Sequence, residues 1–512
     1  MARSVRFLKH LYIFGGVVSE NPQADEAKNP ENSGGRHLYQ SIGLVLGPLL
    51  ALLLWLLPAP AGLSADGWVV VALLVWMASW WATEAIPVPA TSLLPLVVLP
   101  LFGVTTLAEA SRPFSEPVIY LLLGGFIMAM AMQRWGLHQR IALSIVAQSG
   151  SHPASLIFGF MLAAAVLSMW VSNTATTLMM LPIGLMVAST VLGPRAGSHP
   201  FAIALVLGIA WGATIGGLGT IIGTPGNAFV VGFVREAQGL EISFIAWMAF
   251  GLPVVALMLP CAWFVLTRLC FRFDAKDVRG GRAVVENQLA ALGAMTKAEK
   301  RTAAVFLLVG LAWALRLLLN ELPGFHYLSD MGIAIIGALA MFLVPAGGKT
   351  ARGTALLDWP SASRLPWGVI LLFGGGLSLA AAIRSTGLAE YLGSQLSVLA
   401  SYPVLFLILA VVLLIIFLTE LTSNTAVVAA LVPVLASIAE ISGLAPILLA
   451  APAALAGSSA FMLPVATAPN AIVYASGQIK IPDMVRAGFR LNLLGALIIT
   501  GVCWLIVPRL FG

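Results

Sequence analysis

Charge is what this chain lacks most. Asp, Glu, Lys and Arg make up only 9% of its 512 residues against 60% hydrophobic ones, which excludes a soluble globular domain. Cysteine is nearly absent too. Cys261, Cys270 and Cys503 lie in or at the edge of apolar segments without metal-type spacing, so they read as packed thiols. The six histidines form no cluster. No Ser/His or Ser/Lys couple, metal pair or pair of aspartates stands at mid-span, and Asp330 and Asp358 fall at expected span ends. An intramembrane hydrolase, and with it an enzyme, is therefore not expected. The formal charge of +6 is not pooled into one patch, which fits basic membrane loops and argues against nucleic acid as a partner. No signal peptide is evident, since the apolar piece at 11–18 is short and lacks a small-residue cleavage site.

What is present is apolar sequence in runs near or above the roughly 20 residues that cross a bilayer. Spans are expected near 41–58, 67–86, 89–107, 116–133, 201–235, 244–270, 300–320, 328–346, 366–384, 445–477 and 485–508. Two further apolar stretches, 153–190 and 402–440, are read as re-entrant hairpins. With residues 1–40 as a partly disordered cytoplasmic tail, this assignment puts the basic loops inside. They carry Arg134 and Arg140, Arg195, Lys349 with Arg352 and Arg364, Lys480 with Arg486, and the long connection from Arg268 to Arg301. Reading either stretch as a single span breaks that agreement with the positive-inside rule.

The two hairpin stretches carry the same motif. Ser172-Asn173-Thr174 and Ser423-Asn424-Thr425 each have a hydroxyl residue four positions earlier, Ser168 or Thr419, and a proline further on, Pro182 or Pro433. An odd number of crossings separates them, so the halves are inverted repeats, a common plan among secondary transporters. Other echoes keep the same order. Leu122-Leu-Gly-Gly matches Leu372-Phe-Gly-Gly, and Arg134-Trp-Gly136-Leu matches Arg384-Ser-Thr-Gly387-Leu.

After each hairpin comes a second pair, Gly223-Thr-Pro-Gly-Asn227 and Ala466-Thr-Ala-Pro-Asn470. Proline and glycine inside a stretch long enough to span predict a helix broken at mid-membrane. Unwound backbone is tolerated there only where it is buried or lines a cavity. Freed carbonyls, hydroxyls and Asn oxygens suit sodium, while Asn amides, hydroxyls and helix N-termini suit a carboxylate. No lysine or arginine lies within either motif, so a dianion held there needs bound cations to offset its charge. The rival reading has Ser and Thr bonding back to their own helices and Asn joining two helices. It suits one motif better than two inverted copies, each followed by a broken helix. A channel is a further rival, though paired broken helices suit alternating access better.

These paired motifs, together with Thr83-Glu-Ala-Ile-Pro87, resemble the divalent anion/sodium symporter family, which includes bacterial dicarboxylate carriers and animal citrate and sulfate carriers. The resemblance covers almost all of the chain beyond the tail. It implies an all-α polytopic membrane protein with about eleven transmembrane helices, two re-entrant hairpins and broken helices. That family works as a homodimer with an elevator motion, here in a bacterial inner membrane with the N-terminus cytoplasmic. The implied first sodium site is Ser168, Ser172, Asn173 and Gly223. The second is Thr419, Thr422, Asn424 and Ala466, with Thr422 and Ala466 acting through their carbonyls. Substrate carboxylates would meet Ser172, Asn173, Thr174, Ser423, Asn424, Thr425 and Thr467. The implied cargo is a C4-dicarboxylate such as succinate, malate or fumarate, symported with sodium. Ala468 stands where sodium-coupled dicarboxylate members carry proline, and Gly226 where Pro-Pro is common. Sodium-independent exchange, or carriage of citrate or sulfate, is the alternative on the same fold. The implied division is scaffold at 41–152 and 300–401, transport parts at 153–272 and 402–512, and a cytoplasmic basic connection at 273–299.

Two acids remain. Glu420, next to a proposed ion ligand, and Glu84 are read as buried structural partners in preference to proton-coupling groups. Gly347-Gly-Lys349-Thr350 lacks the upstream glycine of a phosphate loop, Leu343 standing there, and reads as a solvated loop.

Overall fold

The structure, a computed structural model, describes residues 38–150, 152–193, 199–274, 280–348, 353–395 and 402–511. Most of the expected tail, Arg195, residues 275–279 of the basic connection, and Lys349 to Arg352 lie outside the described residues. Among the described residues the fold is helical, with one isolated bridge between Pro345 and Ala355.

The first half begins with α1 (Leu38–Leu56), α2 (Ala65–Thr83), α3 (Leu94–Leu101), α4 (Pro117–Arg134) and α5 (Leu137–Gln148). It continues with the pair α6 (Pro153–Ser168) and α7 (Asn173–Leu192), the broken pair α8 (Pro200–Gly217) and α9 (Pro225–Gln238), and α10 (Phe244–Phe264). In the connection lies α11 (Gly281–Ala291). The second half repeats the plan. It holds α12 (Lys297–Ala314), α13 (Asp330–Leu343), α14 (Trp367–Ser385) and α15 (Leu388–Gln395), then α16 (Val404–Thr419) with α17 (Asn424–Ile441), α18 (Ile447–Gly457) with α19 (Ala468–Ala475), and α20 (Ile481–Phe511). Nine helices among the described residues are long and apolar enough to cross a bilayer, and shorter apolar helices, α6, α13, α16 and α18 among them, accompany these.

Local chemistry sets the helix ends. Ser243 and Ser329 cap α10 and α13, their hydroxyls accepting from the amides of Ala246 and Gly332 at 3.1 Å each. Thr296 and Glu299 form a reciprocal capping box on α12. The echo noted around Gly136 and Gly387 has a mechanical cause. Both glycines take positive φ, 70° and 75°, and turn the chain from a span into a short helix, α5 or α15, that the apolar runs do not announce. The expected span 89–107 is not one helix. Pro87, Pro89 and Pro95 divide it into a turn at Val88–Thr91 and α3, because proline removes amide donors. Glu84 is exposed at the left-handed C-cap of α2, φ 47°, and is not the buried partner expected.

The interior is centred on α8, every residue of which from Phe201 to Gly217 is buried. Gly208, Gly212 and Gly216 line its contact with α6, the small-residue spacing that lets membrane helices approach backbone to backbone. A Cβ on Gly212 would lie 2.5 Å from the Met161 carbonyl oxygen, and one on Gly216 would overlap the Ala165 carbonyl. Gly216→Ala is therefore expected to lower the thermal midpoint of the purified protein in detergent, at a cost of about 1–3 kcal/mol for overpacking. Gly310→Ala, on α12 where a Cβ meets nothing within 4 Å, is expected to be neutral or to stabilise by about 0.5–1 kcal/mol. Equal melting shifts for the two variants would contradict this account of the α6–α8 contact.

Candidate functional site

Each motif stretch folds as two helices joined by a short tip. In the first half α6 ends at Ser168, the tip runs from Met169 to Ser172, and Asn173 opens α7. Buried Ser168 donates its hydroxyl to Asn173 Oδ1, and Ser172 Oγ caps α7 by accepting from Ala175 N at 3.3 Å. The broken helix reaches this tip. Thr220 Oγ1, in the unwound piece between α8 and α9, donates to the Met169 carbonyl at 2.6 Å. A Cβ on Gly217 would sit 2.8 Å from Asn173 Oδ1 and 3.1 Å from the Gly223 carbonyl, so both oxygens border the same small space. Ser168, Asn173 and Gly223 are thus brought together, with Ser172 exposed and Thr174 half-buried beside them.

In the second half buried Thr419 ends α16, the tip runs from Glu420 to Ser423, and Asn424 opens α17 with its Oδ1 buried and unpartnered. The Thr422 hydroxyl donates to the Leu418 carbonyl at 2.9 Å. Here the break is tied to the tip by Glu420. Its carboxylate accepts from the amides of Phe461 (2.8 Å), Met462 (2.9 Å) and Leu463 (3.0 Å) and from Asn492 Nδ2 at 2.7 Å. Glu420 is therefore the buried structural partner that the sequence suggested.

The two breaks match in detail. Thr224 and Thr467, the residues before α9 and α19, have φ/ψ of −137°/147° and −143°/150°. A turn bond runs from Gly223 N to the Thr220 carbonyl at 3.4 Å, and from Ala466 N to the Leu463 carbonyl at 3.2 Å. Gly251 of α10 and Gly488 of α20 leave room for the breaks. A Cβ on Gly251 would lie 2.8 Å from the Leu218 carbonyl, and one on Gly488 would overlap that of Phe461. Thr224 escaped the candidate set drawn from sequence, although its pairing with Thr467 in the repeat alignment was signal enough. It is buried, and Ser458 Oγ of the opposite break donates to its hydroxyl at 3.2 Å.

The halves interlock. α7 packs on α19 of the other half and α17 on α9, so the four helices that begin at the motifs form two pairs, each made across the halves. None of the four has an acidic residue in its first turn. No acidic side chain there opposes an anion at the positive helix ends. Ser423 and Thr425 are half-buried around the second tip, as is Thr467, whose hydroxyl accepts from Asn470 N at 3.2 Å. Sodium prefers oxygen ligands, and the unpartnered Asn424 Oδ1 with the paired oxygens beside Gly217 suit it.

The chain is 42% identical over 491 residues to the sodium-dependent dicarboxylate transporter SdcS of Staphylococcus saprophyticus, covering 94% of each protein. It is also 42% identical to the protein of the same name from Staphylococcus aureus, over 95% of this chain and 94% of that one. The crystal structure of the Alcanivorax borkumensis YdaH transporter, described as having an unusual topology, superposes with a TM-score of 0.55 at 15% identity, covering 92% of this chain and 97% of that one. That likeness concerns the fold. Residues 39–510 match the family model for the sodium:sulfate symporter transmembrane region, and the chain belongs to that family of membrane transporters.

Proposed function

We propose that the chain symports a dianion with sodium, and that its cargo is a C4-dicarboxylate such as succinate, malate or fumarate. The observation that carries this reading is the interlocked pair of tip-and-break units, with four helix N-termini and no lysine or arginine in the motifs. Ser168, Ser172, Asn173 and Gly223 would hold one sodium ion, and Thr419, Thr422, Asn424 and Ala466 the other. Ser172, Asn173, Thr174, Ser423, Asn424, Thr425 and Thr467 would face the carboxylates. The two relatives named sodium-dependent dicarboxylate transporters support both the ion and the cargo. Ala468 favours a second reading, sodium-independent exchange, because proline is usual at that position in the sodium-coupled members; here Pro469 supplies the proline of the first turn of α19.

The proposal extends to the working protein. It is a homodimer in a bacterial inner membrane with the N-terminus cytoplasmic. Segments 153–272 and 402–512 move together as an elevator against 41–152 and 300–401. Support comes from the contacts of α7 with α19 and α9 with α17, which join the two moving segments into one unit.

Neutral donors alone hold a dianion poorly, whereas a unit charge about 4 Å away contributes near 4 kcal/mol at an effective dielectric of about 20. Sodium should therefore raise substrate affinity, and substrate should raise sodium affinity by the same factor. In proteoliposomes, replacing sodium by choline at constant ionic strength is expected to weaken succinate binding steeply, and Ser168→Ala to do the same. Unchanged affinity in choline, with acceleration by a second anion on the far side, would establish the exchange reading instead.

Asn173→Ala and Asn424→Ala each remove an ion-facing oxygen and an anion-facing donor. Each is expected to abolish uptake by purified protein that still elutes as the wild-type assembly. Near-native uptake by either variant would remove these residues from the site.

A further inference from the structure

Asn227 and Asn470 belong to neither proposed ligand set, yet they are closely matched side chains of the two halves. Each is fully buried as the third residue of the helix that resumes after a break. Each gives its amide hydrogens to carbonyls ten and seven residues earlier in that break. Asn227 Nδ2 donates to Gly217 at 3.0 Å and Thr220 at 2.8 Å, and Asn470 Nδ2 to Ala460 at 3.2 Å and Leu463 at 3.1 Å. Thr220 and Leu463 also accept the turn bonds from Gly223 and Ala466. The Oδ1 of each asparagine is buried without a partner, so donors alone fix the amide.

We infer that Asn227 and Asn470 are positioning residues of the two sodium sites, each pinning a turn so that its last residue, Gly223 or Ala466, presents a carbonyl to the ion. This rests on the sodium-symport reading above. A main-chain ligand has no rotamer to adjust, and its direction follows from the φ and ψ of its turn. Outside a helix that turn has few bonds to hold it, and a planar amide with two diverging N–H groups can hold two of its carbonyls at once. The residues of the two turns differ at every position from 217–223 to 460–466, while the pinned carbonyls and the pinning asparagine coincide.

The test is sodium titration of succinate uptake in proteoliposomes by Asn227→Leu, Asn470→Leu, Asn227→Asp and Asn470→Asp. Loss of a group that orients a ligand typically weakens metal affinity ~10–100-fold. Half-saturating sodium is expected to rise by that factor in all four, with the succinate KM at saturating sodium unchanged. Ser168→Ala added to Asn227→Leu should raise it by less than the product of the single effects, and added to Asn470→Leu by the full product. A fall in maximal rate with unchanged half-saturating sodium would reduce the asparagines to packing residues and overturn the inference. Aspartate variants that bind sodium as well as the wild type would overturn it in favour of direct ligation through Oδ1. Where a leucine variant fails to fold, the aspartate variant and the sodium-induced melting shift in detergent carry the same expectation. If wild-type uptake ignores sodium, the symport reading itself fails, and that is visible before any asparagine is changed.

Discussion

Unwound main chain at membrane depth has no water to satisfy it, and both breaks are built around that constraint. The halves meet it at the same place with different chemistry. In the second, three consecutive amides turn onto Glu420, which Asn492 holds in place. In the first, Met169 occupies the matching position and its carbonyl takes the Thr220 hydroxyl, while the Trp247 indole donates to the Leu218 carbonyl at 3.1 Å. The two halves therefore differ beside the proposed ion positions, with a carboxyl group in one and only main-chain, hydroxyl and indole dipoles in the other.

The same constraint explains why the motif helices can face a ligand. Glu420, Thr220 and the two asparagines satisfy the polar groups that would otherwise fold inward on each other. The helix starts at Asn173, Pro225, Asn424 and Ala468 then remain without acidic neighbours in their first turns. On the proposed reading an anion would gain from these positive helix ends, with oxygen ligands beside them for the compensating cation.

Much of this was legible in the sequence because the fold is written twice. The hairpins, the broken helices and the ordering of the repeats follow from paired motifs that chance would not align, and Ser168, Asn173 and Gly223 do converge. Other features left no such trace. α5 and α15 follow spans as short helices without a long apolar run, and α11 sits in a connection that composition marks only as basic. Proline spacing divides the 89–107 stretch, which hydropathy alone reads as continuous. The partners of Glu420 are mostly backbone amides, and amides have no letter in the sequence. Glu84 acts through something equally invisible in the sequence: its left-handed backbone, not its carboxylate, is what ends α2.

The turns at 217–223 and 460–466 share no residue at any matched position, yet they run the same course. A main-chain carbonyl, the one group each turn would offer the ion on the proposed reading, does not depend on side-chain identity, so the two copies have been free to diverge there since the duplication that the repeats imply. Alignment therefore understates the kinship of the halves at the place where they coincide in space. Their common ancestry is recorded less in the residues of the turn than in the asparagine that follows it.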